Sequence, residues 1–105
     1  MVRMISILLL IASPALAADP QHGRAIFIAD GCAGCHGTMA QGGPGIRLAP
    51  SPPPPIVISA YIRNPAGEMP PYGSKVLTDA DIADIHAYLM SIPASPKLAD
   101  IPELN

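Results

Sequence analysis

Residues 30–37 read DGCAGCHG and contain both cysteines of the 105-residue chain. Cys32 and Cys35 lie three positions apart, and His36 directly follows the second cysteine. The pattern C-x-x-C-H fits a thiol–disulfide couple, half of a zinc site, or a point at which a larger group is attached. The rest of the sequence must distinguish among these three kinds of site.

The N-terminal residues predict export. MVRMISILLLIASPALAAD has one positive charge at Arg3, an apolar run from Met4 to Ala12, and the small residues Ala15 and Ala17. This order is typical of a secretory signal peptide, and the apolar run has only about half of the ~20 residues that span a membrane. We therefore expect residues 1–17 to be removed, in preference to the alternative of a retained anchor.

The remaining chain, residues 18–105, is predicted to form one small domain. The whole sequence has one Phe, three Tyr and no Trp, so a domain of this size needs additional volume to fill its core. Without Arg3 it has five Lys/Arg against eight Asp/Glu, and no basic cluster, which argues against nucleic acid or anionic lipid as a partner. No second apolar segment is long enough to span a membrane.

Helix signals lie at both ends of the domain. Asp19 before Pro20 is a typical helix start, and it predicts a first helix from about Pro20 to Asp30. LTDADIADIHAYLMSIP begins with a capping box of Thr78 and Asp81, and its apolar face predicts a second long helix ending at Pro93.

Between them, residues 37–55 are rich in Gly and Pro and predict a loop that ends in a polyproline segment. IVISAYIRN fits either a short strand or a short helix, and the flanking prolines favour the helix. With no clear strand signal, the predicted fold class is all-α.

Covalent haem attachment uses every residue of the C-x-x-C-H motif. Each thiol joins a vinyl group, and the adjacent His36 becomes an axial ligand of the iron. Thiol exchange normally needs a βαβ context, and zinc needs further ligands such as His22 or His86, without a second ligand pair at metal spacing. The intact mass of the protein would separate haem from the other two readings.

A second axial ligand is expected for electron transfer. Of the three methionines after the signal peptide, Met39 is too close to His36 to reach the opposite haem face, and Met90 suits helix packing. Met69 lies in AGEMPPYG, on a loop long enough to pass around the macrocycle, and two prolines stiffen the chain after it.

The order and spacing of GRAIF, CAGCHG, GGPG, YIRNPAGEMPPYG and LTDADIADIHAYL resemble the class I monohaem cytochromes c of bacterial periplasms. The resemblance implies a small cytochrome c fold with three to four helices around one covalently attached haem c, held by Cys32 and Cys35. The first and last helices are then expected to cross, with Gly23 and Phe27 against the last helix near Tyr88 and Leu89.

The resemblance also implies roles around the iron. His36 and Met69 would be the axial ligands, and the carbonyl of Pro44 would accept a hydrogen bond from the His36 ring. Tyr72 would pack near the haem edge, and Arg47 and Tyr61 are candidate partners of the propionates. His22 and His86 are assigned only to the surface or to helix packing.

The function so predicted is a periplasmic one-electron carrier, not an enzyme. Its expected partners are redox proteins: a periplasmic dehydrogenase, a terminal oxidase or a membrane cytochrome. The chain departs from the Lys-rich docking face of the mitochondrial relatives, since Lys occurs only at 75 and 97. The alternative function is a five-coordinate haem protein that binds small gases or has peroxidase activity.

Overall fold

A computed structural model describes residues 17–104 of the chain. The predicted signal peptide therefore lies outside the described residues, apart from Ala17. Within the described range there are helices and no strands, which confirms the all-α prediction. The four α-helices are α1 (Pro20–Ala29), α2 (Cys32–His36), α3 (Pro55–Arg63) and α4 (Asp79–Ser91), followed by 3₁₀ turns at Leu98–Asp100 and Pro102–Leu104.

Helix α1 begins as the sequence predicts. The Asp19 carboxylate accepts a hydrogen bond from the backbone N–H of Gln21 (2.9 Å), and Pro20 occupies the first helical position, where its missing N–H is not needed. The helix ends at Ala29, because Gly31 adopts the left-handed conformation (φ 87°) that turns the chain.

Helix α4 has the predicted capping box. The Thr78 hydroxyl accepts from the N–H of Asp81 (3.1 Å), and the Asp81 carboxylate accepts from the N–H of Thr78 (2.9 Å). Two of the N–H groups that a helix start leaves unpaired are satisfied in this way. The segment IVISAYIRN, whose sequence fits either a strand or a helix, lies in helix α3 up to Arg63, with Pro55 at the first position. The helical alternative is therefore confirmed.

Helices α1 and α4 pack directly against each other. A Cβ atom at Gly23 would overlap the backbone carbonyl of Asp84, so only glycine allows this approach. One turn further, the rings of Phe27 and Tyr88 lie 5.7 Å apart and are tilted by 57°, a favourable aromatic geometry. The predicted contact of Phe27 with Tyr88 is confirmed, whereas Gly23 meets Asp84 and Ile85, one turn before Tyr88.

The hydrophobic core is centred on this helix pair. Phe27, Ile82 and Leu89 are its largest fully buried side chains. The other buried apolar residues are Ala40, Ala49, Ile62, Leu77, Ile85, Tyr88 and Ile92. Among residues 17–104, no helix has the length and apolar character needed to cross a membrane.

Candidate functional site

The C-x-x-C-H motif forms a short helix of its own. Helix α2 is bounded by Gly31 and Gly37, both at φ 87°, a conformation that favours glycine. Cys32 and Cys35, three residues apart on a helix, lie on the same side of it. The sequence analysis missed this helix, because five residues are too few to show a helical period.

The two cysteines do not fit thiol exchange. They are not joined in a disulfide, and Cys32 is partly buried whereas Cys35 is exposed. Burial raises the pKa of the Cys32 thiol, and the negative charge of Asp30 raises it further. Exchange catalysts need the opposite shift, because the thiolate is the nucleophile.

The zinc alternative lacks its ligands in the described part of the chain. Residues 17–104 contain no group of three or more His, Cys, Asp or Glu side chains placed to hold a metal ion. A structural zinc site requires four such ligands.

The His36 ring is fixed by a backbone carbonyl. Its Nδ1 lies 2.7 Å from the carbonyl oxygen of Ile46, and since a carbonyl can only accept, Nδ1 carries the proton. The lone pair is then on Nε2, the nitrogen available to a metal. We predicted that Pro44 would supply this carbonyl; that prediction was wrong, and the acceptor is Ile46, two residues later.

Ile46 is the acceptor because of the way in which the loop of residues 37–46 folds back on α2. The N–H of Gly42 donates to the His36 carbonyl and that of Gly45 to the Cys35 carbonyl, both at 2.8 Å. A Cβ atom at Gly45 would lie only 2.8 Å from Cε1 of His36, so this glycine packs on the imidazole. The carbonyl that reaches Nδ1 is therefore that of the next residue, Ile46, whereas Pro44 precedes the contact and is exposed.

Met69 differs from the other two methionines of the described chain. Its side chain is partly buried and packs against the hydrophobic core, as do those of Cys32 and Tyr72. Met39 and Met90 are 50% and 57% exposed. The structure thus brings one thioether and the first cysteine to the edge of the same core.

The remaining predicted residues have partners within the protein. The Tyr72 hydroxyl donates to the Asp30 carbonyl (2.5 Å), which joins the Met69 loop to the turn before α2. The Arg47 Nε donates to the Gln41 carbonyl (3.3 Å), and the Tyr61 hydroxyl donates to the Ala66 carbonyl (3.1 Å). Contact of Arg47 or Tyr61 with haem propionates stays a prediction.

The sequence analysis missed three residues at this site. Ile46 gave no signal, because every residue has a carbonyl, and Gly45 was hidden among several glycines. Arg63 was also overlooked. Its Nη1 donates to the Tyr72 carbonyl (3.0 Å) and its Nη2 to the Asp79 carboxylate (3.1 Å).

The donor set fits a covalently held haem. Two thiols lie on one side of α2, the adjacent imidazole has its tautomer fixed with Nε2 free to ligate, and a thioether lies at the core edge. Imidazole and thioether are a known pair of axial ligands in haem proteins of this type. Gly31, Gly37 and Gly45 provide the backbone turns and the close approach that this arrangement requires.

A comparison with protein families also supports covalently held haem. The model of the family described as cytochrome c oxidase, cbb3-type, subunit III matches residues 18–89, from the start of α1 to within α4. The matched range includes both cysteines, His36 and Met69. No curated protein and no solved structure matches the chain significantly.

Proposed function

Because the chain belongs to this cytochrome c family and is therefore a class I c-type cytochrome with covalently bound haem c, we propose that it is an exported one-electron carrier ligated by His36 and Met69. When bound, the haem supplies a one-electron Fe(III)/Fe(II) couple. The observation that carries the proposal is the hydrogen bond from His36 Nδ1 to the Ile46 carbonyl. It fixes the ring and leaves Nε2 as the ligating atom.

Met69 is proposed as the second ligand because of its surroundings. It is the methionine that packs against the hydrophobic core, as Cys32 and Tyr72 also do, while Met39 and Met90 are exposed. A thioether ligand stabilises ferrous iron and so raises the reduction potential. If His36 and Met69 both held the iron, oxygen and substrate would have no free coordination site, which favours a carrier over an enzyme or a gas-binding protein.

The proposed setting is the periplasm, with redox proteins as partners. The signal-like residues 1–17 support export, and the low Lys content supports a partner that is not chosen by strong electrostatic steering. A dehydrogenase that delivers electrons and a terminal oxidase or membrane cytochrome that accepts them fit this role. Docking is then expected to be transient and of small area.

Substitution of Met69 tests the ligand assignment. Met69→Ala should abolish the weak sulfur-to-iron charge-transfer band of the oxidised protein and lower the reduction potential. Met90→Ala is the matched control, because it removes an exposed thioether from α4 and should change neither. An unchanged potential in Met69→Ala, or rapid binding of carbon monoxide by the untreated reduced protein, would contradict the proposal.

Export is tested by mass. The protein recovered from the periplasm should begin at Ala18 and exceed the mass of residues 18–105 by one haem. A mass that still includes residues 1–17 would contradict removal of the signal peptide and would favour a carrier that these residues anchor to the membrane. Reduction of the purified protein by candidate dehydrogenases and its oxidation by membranes would then identify the partners.

A further inference from the structure

We propose that Arg63 is a positioning residue that holds the Met69 loop closed. The inference rests on the proposed function, because it takes Met69 as the ligand that the loop presents. Arg63 is the last residue of α3, and the loop begins directly after it. Its side chain reaches the far end of that loop at Tyr72 and is only 24% exposed.

The guanidinium joins two separate parts of the chain. Nη1 donates to the carbonyl of Tyr72, three residues after Met69, at 3.0 Å. Nη2 donates to the carboxylate of Asp79, the first residue of α4, at 3.1 Å. Because a guanidinium stays charged at all ordinary pH values and has a rigid set of donors, it can hold both acceptors at once.

Tyr72 is the point at which the loop is fastened. Its N–H donates to the carbonyl of Ile62 (2.8 Å), its carbonyl accepts from Arg63, and its hydroxyl donates to the carbonyl of Asp30. The residue is therefore tied to α3 through its backbone and to the turn before α2 through its side chain. Since Cys32 lies two residues after Asp30, Tyr72 links the loop of Met69 to the helix of the cysteines.

At the other end of the loop, the hydrogen bonds within residues 17–104 are made by neutral groups. The Asn64 N–H donates to the Tyr61 carbonyl (3.2 Å), and the Tyr61 hydroxyl donates to the Ala66 carbonyl (3.1 Å). Met69 lies between these contacts and Tyr72. Of the loop's fastenings, the bond from Arg63 to Tyr72 is thus the one that a charged donor strengthens.

Loss of the Arg63 bond should raise the population of an open loop. A hydrogen bond from a charged group is strong enough that its loss should raise the population of the open loop roughly tenfold or more. An external ligand that binds iron only when Met69 is displaced gains affinity by the same factor as the open population rises. Imidazole is a suitable probe, since it competes with the thioether for ferric iron.

The test compares imidazole binding by the haem-containing protein and five variants, of which the first three probe the contacts of the Arg63 side chain. Arg63→Gln should bind imidazole roughly tenfold more tightly than the wild-type protein. Asp79→Asn is the matched control, because it removes the negative charge of the exposed partner on α4 but keeps the bond from Arg63 to Tyr72, and its affinity should stay close to wild type. Arg63→Lys keeps the charge with one donor group and should fall between wild type and Arg63→Gln.

The outcomes separate this inference from the proposed function. If Met69→Ala binds imidazole no more tightly than wild type, Met69 is not the ligand, and both proposals are wrong. If Met69→Ala binds more tightly but Arg63→Gln does not, only the role of Arg63 is wrong. An equal gain in Asp79→Asn would also overturn it, since the ion pair with α4 would then be responsible.

If Arg63→Gln does not fold, Arg63→Lys carries the test, and wild-type affinity in that variant would overturn the role of Arg63. Tyr72→Phe tests the other fastening of the loop. Tyr72→Phe removes the hydroxyl bond to Asp30 and leaves both backbone bonds of Tyr72 in place. It should also tighten imidazole binding, by less than Arg63→Gln. Wild-type affinity in Tyr72→Phe would contradict the assignment of Tyr72 as the fastening point.

Discussion

The crossing of α1 and α4 and the loop of residues 37–46 are both built on close approaches to glycine, but of different kinds. At the crossing, Gly23 allows the backbones of α1 and α4 to come into contact, and the rings of Phe27 and Tyr88 pack against each other beside it. In the loop, Gly45 packs on one imidazole, and backbone hydrogen bonds to Cys35 and His36 hold the chain. We infer that changes at the crossing affect the stability of the whole domain, whereas changes in the loop act on His36.

The largest expected effect is at the crossing. Gly23→Ala should destabilise the folded protein by about 3 kcal/mol or more, because the added methyl group meets rigid backbone at Asp84. Intrinsic helix propensity alone would favour Ala by about 1 kcal/mol. A loss of stability in Gly23→Ala would therefore show that the contact with the Asp84 backbone outweighs helix propensity. Denaturant unfolding of the haem-containing protein measures it.

Gly34→Ala is the matched control for that experiment. Gly34 is also helical, within α2, but a Cβ atom there would have no atom within 4 Å. Its stability should be unchanged or slightly higher. Equal losses in both variants would show that the helix crossing is not the reason for the Gly23 requirement.

A smaller and more local effect is expected at Gly45. Gly45→Ala should cost about 1–3 kcal/mol and shift the reduction potential, because the methyl group pushes on the His36 ring or displaces the Ile46 carbonyl. Gly73→Ala, in the Met69 loop, serves as control, because its methyl group would have no protein atom within 4 Å apart from its chain neighbours. A stability loss with no change of potential would mean that the loop, and not the imidazole, gives way.

Tyr88 connects the two regions. Its ring packs on Phe27 at the crossing, while its hydroxyl donates to the Thr38 carbonyl in the loop (2.9 Å). Tyr88→Phe keeps the ring and should destabilise the protein by about 1 kcal/mol, the usual contribution of such a bond. Thermal unfolding measures this, and an unchanged potential is expected, since the lost bond joins Tyr88 to the Thr38 carbonyl and does not involve the His36 ring.

The smallest effect is a pH dependence at the rim of the crossing. The exposed His22 donates to the Asp84 carboxylate (2.7 Å), and this bond, with the charges of Asp84, Asp81 and Asp19, raises the pKa of His22 above its ordinary 6.5. A raised pKa means that the stabilisation is complete below 6.5 and is lost as pH rises through the higher folded value. The Asp84 pKa is lowered, chiefly by the bond from the Asp19 N–H, so the partner stays charged throughout that range.

His22→Gln tests this dependence. The wild-type protein should lose a little stability as the pH rises from 6.5 through the higher folded pKa of His22, and the variant should show a flatter profile. Unfolding midpoints measured at a series of pH values give the comparison. Identical profiles would show that solvent screens the exposed pair completely.

Sequence signals predicted the local structure best where a few adjacent residues determine it. Asp19 with Pro20 and Thr78 with Asp81 are caps that act within one helical turn, and both helix starts are confirmed. Contacts between distant residues were harder to predict. The acceptor of His36 was assigned to Pro44 instead of Ile46, because the choice depends on how residues 42–46 fold back on α2.

By itself, the sequence determined the class of protein. C-x-x-C-H with a distant Met-Pro, between two capped amphipathic helices, indicates an all-α cytochrome c, and the family match confirms this. Only the tertiary structure decided which carbonyl fixes His36 and that Arg63 donates to the carbonyl of Tyr72. The physical reason is that covalent and capping chemistry depends on residue types at short spacing, whereas a hydrogen bond to a backbone carbonyl depends only on where the chain places it.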